Sequence, residues 1–339
     1  MSFHSRFEPE VSPIQMSKEL ARACNTNRGS SIEQSYLYFE GSSAAGWADI
    51  CNQQDYVATF ESYSFDWVAD LIKDHLFDTK FRKNRIDLIG IGSGDGKKEG
   101  KLIQGILDLC PDLQVRCHLL DKSNPLLVAA HNHLNDIFED SGRVEVFEHQ
   151  GDFCRLSNLS DLFDSEENEQ VLRVGCMFGG TLGNLDNELR FVRDSLSAAL
   201  KPGDLFIPDV VLGFAPVDDP VAIKIEDPRM SSQGVFQNLT NNWLLSTLKR
   251  YREEWGSPSF KHVLHAKGST TSPIPNTYTI ETHVIVDSGT HKSAFNMLRL
   301  HRYEQSSFIG TILREGFQRL GGRTYGAQDK KFMYVFVKE

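Results

Sequence analysis

A glycine-rich turn between an apolar segment and an amphipathic segment is the feature that most restricts how this chain can fold. The apolar run Arg85–Ile91 predicts a buried strand, and apolar residues recur at helical spacing over Lys97–Leu109. Glycines stand at alternate positions between the two segments, at Gly90, Gly92, Gly94 and Gly96. Glycine allows a tight turn and a close approach of the backbone to a ligand. The segment therefore predicts a strand, a ligand-binding turn and a helix at the mouth of an open α/β sheet.

The spacing of these glycines differs from that of dinucleotide-binding folds. Those folds use a GxGxxG pattern, but a reading from Gly90 puts Asp95 at the third glycine position, and a reading from Gly92 puts Lys97 there. The spacing disfavours an NAD-dependent oxidoreductase and suits a nucleoside that lacks a pyrophosphate. A glycine turn that binds no ligand stays open as an alternative.

Strand and helix patterns alternate through the middle of the chain. Short strand patterns and longer helix patterns follow one another at Val115–Leu120, Pro125–Phe138, Val144–His149, Val171–Phe178, Asn187–Leu200 and Leu205–Val211. Such an alternation predicts right-handed βαβ units and a parallel, doubly wound sheet of the α/β class.

The flanking regions follow other patterns. Residues 1–60 show no clear strand, whereas Glu61–Phe77 and Phe236–Arg252 have helical periodicity. Near the end of the chain we predict a hairpin, a helix and a closing strand, over Tyr278–Val286 with Ser293–Tyr303, Phe308–Leu320 and Phe332–Val337. We expect the hairpin to end the doubly wound sheet as an antiparallel pair.

Composition and charge narrow the class of protein. The chain has 339 residues, of which 40% are hydrophobic, enough for a sizeable core and long for one compact domain. The net charge of −10 argues against a nucleic-acid partner, because duplex binding needs a basic face. No apolar stretch approaches the roughly 20 residues that cross a bilayer. The six cysteines are scattered without a CxxC pair, so we expect a cytoplasmic protein without a metal site. The oligomeric state stays open.

Two carboxylates follow the next strands of the predicted sheet. Asp121 ends the second strand, where an acidic residue can accept hydrogen bonds from both ribose hydroxyls or can cap the following helix. Asp152 and Phe153 come directly after the third strand. A carboxylate beside an aromatic ring at that edge can bind and cover an adenine, or can belong to a loop without a ligand.

A motif after the fourth strand makes the pattern specific. The segment Phe178–Gly–Gly–Thr–Leu–Gly–Asn184 resembles the Gly-Ser-Thr-Ile-Gly-Asn motif of the histidine-specific methyltransferases, the family of the ergothioneine-pathway histidine Nα-methyltransferase. The other motifs stand in the same order, and the resemblance covers most of the chain from about Tyr36. It implies a class I methyltransferase domain that uses S-adenosylmethionine (SAM), over residues 61–209 and 289–339. A smaller substrate-binding domain would combine residues 1–60 and 210–288.

The resemblance also implies roles for individual residues. Tyr56 and Asn184 correspond to the residues that orient the substrate amine. The cofactor contacts fall on Tyr38, Gly92, Ser93, Gly94, Lys98, Asp121, Asp152, Phe153 and Gly179. The substrate contacts fall on Trp47, Tyr56, Phe178, Thr181, Asn184, Leu298 and Leu300.

Departures from the family pattern concern both the cofactor and the substrate. Gly90 stands where the family's glycine loop carries an acidic residue. Leu298 and Leu300 stand where the histidine enzymes read the imidazole with a Glu-x-Ser pair, and Ile225 replaces a tyrosine. We therefore expect an N-methyltransferase for a small amine other than histidine, an amino acid or an amino-acid-derived natural-product intermediate with a more apolar side chain.

Other classes of protein remain as alternatives to this reading. They are an NAD-dependent oxidoreductase, a non-catalytic protein that binds SAM, and an aminopropyl-type transferase that uses a related cofactor. The last should show an acidic polyamine pocket, which the sequence does not identify.

Overall fold

The computed structural model describes most of the central part of the chain and shorter segments around it. The described residues are 3–6, 18, 30–31, 34, 36–39, 41–52, 65–78, 83–159, 171–213, 242–246, 259–265, 272–287, 292–325 and 331–339. The strands are β1 (Phe3–Arg6), β2 (Ser30–Ser31), β3 (Arg85–Ile91), β4 (Gln114–Asp121), β5 (Val144–Gln150), β6 (Val171–Met177), β7 (Leu205–Val211), β8 (Ser259–His265), β9 (Tyr278–Asp287), β10 (Lys292–Arg302), β11 (Phe317–Tyr325) and β12 (Lys331–Lys338).

Helices connect these strands. They are α1 (Tyr36–Phe39), α2 (Gly41–Cys51), α3 (Asp66–Phe77), α4 (Lys97–Leu109), α5 (Asn124–Phe138), α6 (188–199, with a π-helical stretch over Phe191–Leu196), α7 (242–246) and α8 (Gln305–Arg314). Among the described residues, no helix is both long and apolar enough to cross a membrane.

The larger of the two sheets, called the main sheet here, has eight strands in the order β1-β5-β4-β3-β6-β7-β12-β11. The first six strands in this order, β1, β5, β4, β3, β6 and β7, run parallel to one another. The last two, β12 and β11, close the sheet as an antiparallel pair. From β3 the chain builds the sheet outward first on one side, through β4 and β5, and then on the other side, through β6 and β7. This change of direction leaves a crevice at the carboxyl ends of the central strands. The predicted doubly wound α/β sheet is confirmed.

Apolar layers cover both faces of the main sheet. On β3, Ile86 and Leu88 pack under α3, α4 and α5, whereas Ile89 and Ile91 pack under α6 and α8. Successive side chains of a strand point to opposite faces, so a strand that is covered on both sides reads as a continuous apolar run. This is why Arg85–Ile91 could be recognised as a strand although it shows no alternation.

A second, four-stranded sheet, called the small sheet here, has the order β2-β10-β9-β8. The predicted hairpin is confirmed as the antiparallel pair of β9 and β10. Its expected place at the end of the main sheet is wrong, because β10 pairs with β9 and β2. The two sheets meet where the backbone N–H of Tyr303 donates to the carbonyl of Val211 at 3.1 Å. The proposed domain boundaries stay a prediction, and β10 falls within the range assigned to the larger domain.

Two further expectations from the sequence are corrected. Residues 1–60 do contain strands, since β1 pairs with β5 and β2 pairs with β10. The helix predicted over Phe308–Leu320 instead ends at Arg314, and Phe317 already begins β11. Gly316 has a φ of +80°, a conformation that ends a helix, and the following residues pair with β12. Of the helix predicted over Phe236–Arg252, residues 242–246 are described and helical, and the remainder lies outside the described residues.

Candidate functional site

A cavity of about 560 Å³ opens at the carboxyl ends of β3, β4, β5 and β6. Most of the residues that the sequence singled out line it together: Tyr38, Trp47, Gly92, Ser93, Gly94, Lys98, Asp121, Asp152, Phe153, Phe178, Gly179, Thr181, Asn184 and Leu300. Leu298 is 3% exposed within β10 and does not belong to the lining, so the structure separates it from the others. Tyr56 and Ile225 lie outside the described residues.

The glycine loop after β3 turns through left-handed backbone conformations. The φ angles of Gly92, Gly94 and Gly96 are +66°, +56° and +71°. Residues with a Cβ atom rarely adopt such positive values, whereas glycine does so readily. A Cβ atom on Gly94 would meet nothing within 4 Å, so the loop presents bare backbone to open space. Beside it, the Ser93 hydroxyl oxygen is buried and has no hydrogen-bond partner among the described residues. A buried polar atom without a partner is costly, and this one lines the cavity.

The carboxylate of Asp121 ties the end of β4 to this loop. One oxygen accepts a hydrogen bond from the backbone N–H of Ser123 at 2.8 Å, and the other from that of Gly94 at 3.3 Å. Burial raises the pKa of Asp121, and these hydrogen bonds oppose that rise. Each carboxylate oxygen has a further acceptor site, so the group can hold the loop and still accept from a ligand. Both interpretations of Asp121 from the sequence, as a cap and as a ligand-binding group, are compatible with this geometry.

Asp152 and Phe153 lie at the next strand end. One Asp152 oxygen accepts from the backbone N–H of Cys154 at 2.9 Å, and the other lies 3.6 Å from Lys122 Nζ. Phe153 reaches across to the glycine loop, since a Cβ on Gly92 would lie 3.7 Å from its Cε1 atom. An acidic group and an aromatic face thus occupy one end of the cavity.

The loop Phe178–Asn184 is anchored by a residue that sequence reasoning missed. Asp209 of β7 is fully buried, and its carboxylate accepts hydrogen bonds from the backbone N–H groups of Gly179, at 2.8 Å, and Gly180. The hydroxyl of Tyr325 donates to the same carboxylate at 2.8 Å. Nothing in the local pattern of β7 distinguishes Asp209, because its partners come from distant parts of the chain.

Asn184 ends this loop with its side chain at the cavity wall. Its side-chain oxygen is buried without a hydrogen-bond partner in the described part of the chain. Its backbone carbonyl accepts a hydrogen bond from the Gln34 amide at 3.0 Å, which holds the residue in place. Gln34 also lines the cavity and was not predicted from the sequence.

A buried polar network supports the loop from below. Glu188, at the start of α6, accepts hydrogen bonds from Tyr303 at 2.8 Å, from Ser272 at 3.1 Å and from the Nδ1 atom of His301. Desolvation raises the pKa of the Tyr303 hydroxyl, and the neighbouring Glu188 adds to the rise. The network joins α6 to the end of β10, so the loop and the small sheet are held in one arrangement.

An aromatic wall faces the glycine loop from the N-terminal part of the chain. The rings of Tyr38 and Trp47 are 5.5 Å apart, and both contact Trp243, at 5.3 and 5.0 Å. Trp243 is buried and donates from its indole nitrogen to the carbonyl of Leu37 at 2.9 Å. It was missed because a tryptophan within a predicted helix gives no sign of which distant residues it contacts.

Comparison with known families decides the class of enzyme. The family profile described as "Histidine-specific methyltransferase, SAM-dependent" matches residues 16–297. The chain belongs to this family. It is therefore a SAM-dependent methyltransferase, as the motifs predicted, and not an NAD-dependent oxidoreductase. No curated protein matches the chain.

Several solved methyltransferases resemble this histidine-specific-family member distantly. A SAM-dependent methyltransferase from Clostridium acetobutylicum is 12% identical over 87% of this chain and 98% of its own, with a TM-score of 0.42. The magnesium protoporphyrin IX methyltransferase of Synechocystis, solved with S-adenosylhomocysteine, is 10% identical over 90% and 98%, with a TM-score of 0.43. An amino pentose methyltransferase from Micromonospora echinaspora is 12% identical over 85% and 98%, with a TM-score of 0.38. Such distant likenesses carry no information about the substrate.

The cavity of this methyltransferase fits the cofactor that its family uses. SAM has a nucleoside, a sulfonium and a zwitterionic amino-acid tail. The cavity offers carboxylates at two neighbouring strand ends, a buried serine hydroxyl without a partner and a bare glycine backbone. These are acceptors and donors of the kinds that the ribose, adenine and tail require.

Proposed function

We propose that this methyltransferase transfers the methyl group of SAM to the nitrogen of a small amine, an amino acid or an amino-acid-derived metabolite other than histidine. The observation that carries the proposal is the Asn184 side-chain oxygen, which is buried at the cavity wall without a partner among the described residues. An amide oxygen accepts a hydrogen bond from an amine N–H, and by doing so it directs the nitrogen lone pair.

We assign the cofactor to the strand-end groups of the main sheet. Asp121 would accept from the ribose hydroxyls, Asp152 would accept from the adenine amino group, and Phe153 would cover the adenine face. Gly92, Ser93, Gly94, Lys98 and Gly179 would surround the amino-acid tail. The bound cofactor supplies an electrophilic methyl group on a sulfonium. Faces of Tyr38 and Trp47 near that cation would stabilise it by about 1 kcal/mol.

The chain's own part in the reaction is to position the amine and to exclude water. An in-line displacement needs a neutral nitrogen behind the methyl group, and it needs no metal and no covalent nucleophile. Asn184 is suited to this task because Gln34 holds its backbone carbonyl while the residue itself belongs to the cavity lining. We further propose Tyr56 as a second group on the amine, and Phe178 and Thr181 as substrate contacts.

Apolar residues in the cavity lining support an acceptor with an apolar side chain. Leu300 lies in the lining together with Val211 and Trp47. The leucine side chain cannot accept or donate a hydrogen bond. An imidazole N–H buried beside it would therefore give up its hydrogen bonds to water and gain none from Leu300. An apolar pocket disfavours a more polar substrate by up to about a hundredfold. Leu300 supports a substrate more apolar than histidine, whereas Leu298 no longer contributes to this argument.

The test is a methylation assay with SAM and a panel of acceptors, read by mass spectrometry. The panel contains histidine, leucine, phenylalanine and tryptophan, each also with its amine acetylated. We expect methylation on the free amine of an apolar amino acid, and none on the acetylated forms. Preferential methylation of histidine, or equal methylation of acetylated acceptors, would contradict the proposal.

A variant pair identifies the residue responsible. Asn184→Ala should lower kcat by about a hundredfold, because an oriented hydrogen bond to the reacting group is lost. Its affinity for S-adenosylhomocysteine should stay within a factor of about two of the wild type. Asn132→Ala is the matched control, since Asn132 is exposed on α5. A loss of cofactor affinity equal to the loss of kcat would make Asn184 a cofactor residue instead.

A further inference from the structure

The acidic residue that the sequence lacks at position 90 has a structural counterpart. A Cβ atom on Gly90 would lie 3.0 Å from the Cγ atom of Glu99 and 3.2 Å from its Oε1 atom. Glu99 stands in the first turn of α4, so its side chain returns to the strand end from which the glycine loop leaves. Its carboxyl group therefore occupies the space next to β3 that a side chain at position 90 would fill.

Glu99 is buried and lines the cavity. It is 2% exposed, and Ser93 lies on the other side of the same space, with its Cβ 3.3 Å from the position of a Cβ on Gly90. The neighbouring Lys98 reaches the opposite loop, since a Cβ on Gly179 would lie 3.1 Å from Lys98 Nζ. One basic and one acidic side chain thus follow each other in the first turn of α4.

This pair lies in the same cavity as the groups that we assign to the nucleoside of the cofactor. The two strand-end carboxylates assigned to the ribose and adenine stand after β4 and β5, on one side of β3. The lining of the same cavity includes Lys98 and Glu99 and, on the other side of β3, Gly179 in the loop after β6. An α-amino acid tail carries an ammonium and a carboxylate on one carbon, and it is complementary to an adjacent acid and base.

We propose that Glu99, reaching back from α4, supplies the carboxyl group that position 90 lacks and binds the α-ammonium group of the methionine moiety of SAM. Lys98 then faces the α-carboxylate. The proposal requires that the protein bind SAM, and it does not depend on which amine is methylated.

The surroundings of Glu99 make binding of the ammonium group depend on the protonation of this carboxyl group. Burial raises the pKa of Glu99 to about 8; a hydrogen bond from its own backbone N–H and the nearby Lys98 oppose the rise, whereas Asp95 and Asp209 add to it. Two thiols also face it, Cys117 on β4 and Cys176 on β6, and burial keeps both neutral by raising their pKa. Glu99 is therefore protonated at neutral pH in the free protein, and an arriving ammonium group favours the carboxylate. Binding of the tail should release a proton at pH values below about 8.

Calorimetric titration of the whole chain tests this with two ligands. S-adenosylhomocysteine carries the tail, and 5′-methylthioadenosine has the same nucleoside and sulfur without it. Titrations in two buffers of different ionisation enthalpy count the protons released. At about pH 6.5 we expect close to one proton more with S-adenosylhomocysteine than with methylthioadenosine, and its affinity should rise about tenfold toward pH 8. Asp121 responds to both ligands, so the difference isolates the tail.

Two comparisons assign the effect to Glu99. In Glu99→Gln the tail-dependent proton should disappear, and S-adenosylhomocysteine should bind about tenfold more weakly near pH 8 while methylthioadenosine binds unchanged. Glu139→Gln, at an exposed position, is the matched control. On the wild-type protein, an S-adenosylhomocysteine analogue with hydrogen in place of the α-amino group should lose the same affinity and release no extra proton. This second comparison needs no variant to fold.

Clear results would overturn the inference. They are a Glu99→Gln protein that binds S-adenosylhomocysteine as the wild type does, equal proton release with both ligands, or a desamino analogue that binds as tightly as the parent. These measurements use binding alone, so a failure of the amine-acceptor proposal would leave them untouched.

Discussion

The side-chain amide of Gln34 joins the backbone of Asn184 to the small sheet. Its nitrogen donates to the Asn184 carbonyl at 3.0 Å, and its oxygen accepts from the backbone N–H of Arg299 at 2.9 Å. Arg299 in turn pairs with Asp186 at 2.7 Å, two residues beyond Asn184. The loop that carries the proposed amine-orienting residue is thus positioned by β10 through one glutamine.

We expect Gln34→Glu to lower kcat by about tenfold and to leave the affinity for S-adenosylhomocysteine unchanged. The new carboxylate can still accept from Arg299, but it cannot donate to the Asn184 carbonyl and repels it, which costs about one to three kcal/mol. Steady-state kinetics with calorimetry of the product complex separates the two quantities. Gln318→Ala is the control, because Gln318 is exposed on β11. If cofactor affinity fell with kcat, Gln34 would act on the whole cavity and not on Asn184.

Gly183→Ala should displace the same loop by a different route. A Cβ atom there would lie 2.9 Å from the backbone oxygen of His301, which β10 holds in place. Because backbone in a sheet cannot yield, the loop must shift, and kcat should fall by about tenfold or more, since small misplacements of catalytic groups are costly. Gly310→Ala in α8 has room and should raise the melting temperature slightly. Unchanged kcat in Gly183→Ala would show that the loop tolerates the shift.

Asp121→Asn should weaken the binding of S-adenosylhomocysteine and 5′-methylthioadenosine equally, by about tenfold or more. The amide offers one acceptor oxygen in place of two, and its NH₂ group would face the N–H of Ser123 or Gly94. The melting temperature should also fall, by an amount equivalent to about 1–2 kcal/mol. Calorimetry of both ligands checks this, with Asp140→Asn as the exposed control. If only the affinity for S-adenosylhomocysteine fell, Asp121 would contact the amino-acid tail and not the ribose.

The stability of the ligand-free protein should depend on pH through Glu99. Its pKa rises from 4.5 to about 8 on folding, so the folded state holds the proton more tightly. That contribution to the free energy of unfolding is complete below about pH 4.5 and is lost as the pH rises through about 8.

Glu99→Gln cannot ionise, so its stability relative to the wild type should grow as the pH rises above about 4.5 and should level off above about pH 8, by a few kcal/mol at most. Urea unfolding without ligand at about pH 6 and pH 8.5 measures the difference, in which other titrating groups cancel. A difference between the two proteins that is the same at both pH values would show that Glu99 does not titrate in this range.

Local patterns in the sequence were sufficient for the main sheet and for one side of the cavity. Strand β3, the glycine loop and α4 follow from apolar periodicity and from the turn chemistry of glycine. Asp121 and Asp152 could be placed together because the carboxyl ends of parallel strands share one edge. The segment after Gly316 was misjudged, since only its pairing with β12 makes it a strand.

The other side of the cavity was decided by the tertiary structure. Gln34 lies 150 residues from Asn184, and Asp209 lies 30 from Gly179, so no local pattern links either pair. The sequence by itself determined the sheet, the glycine loop and the absence of an acid at position 90. Only the packing of α4 against β3 shows that Glu99 fills that space, because a side chain's neighbours across an interior depend on how distant elements meet.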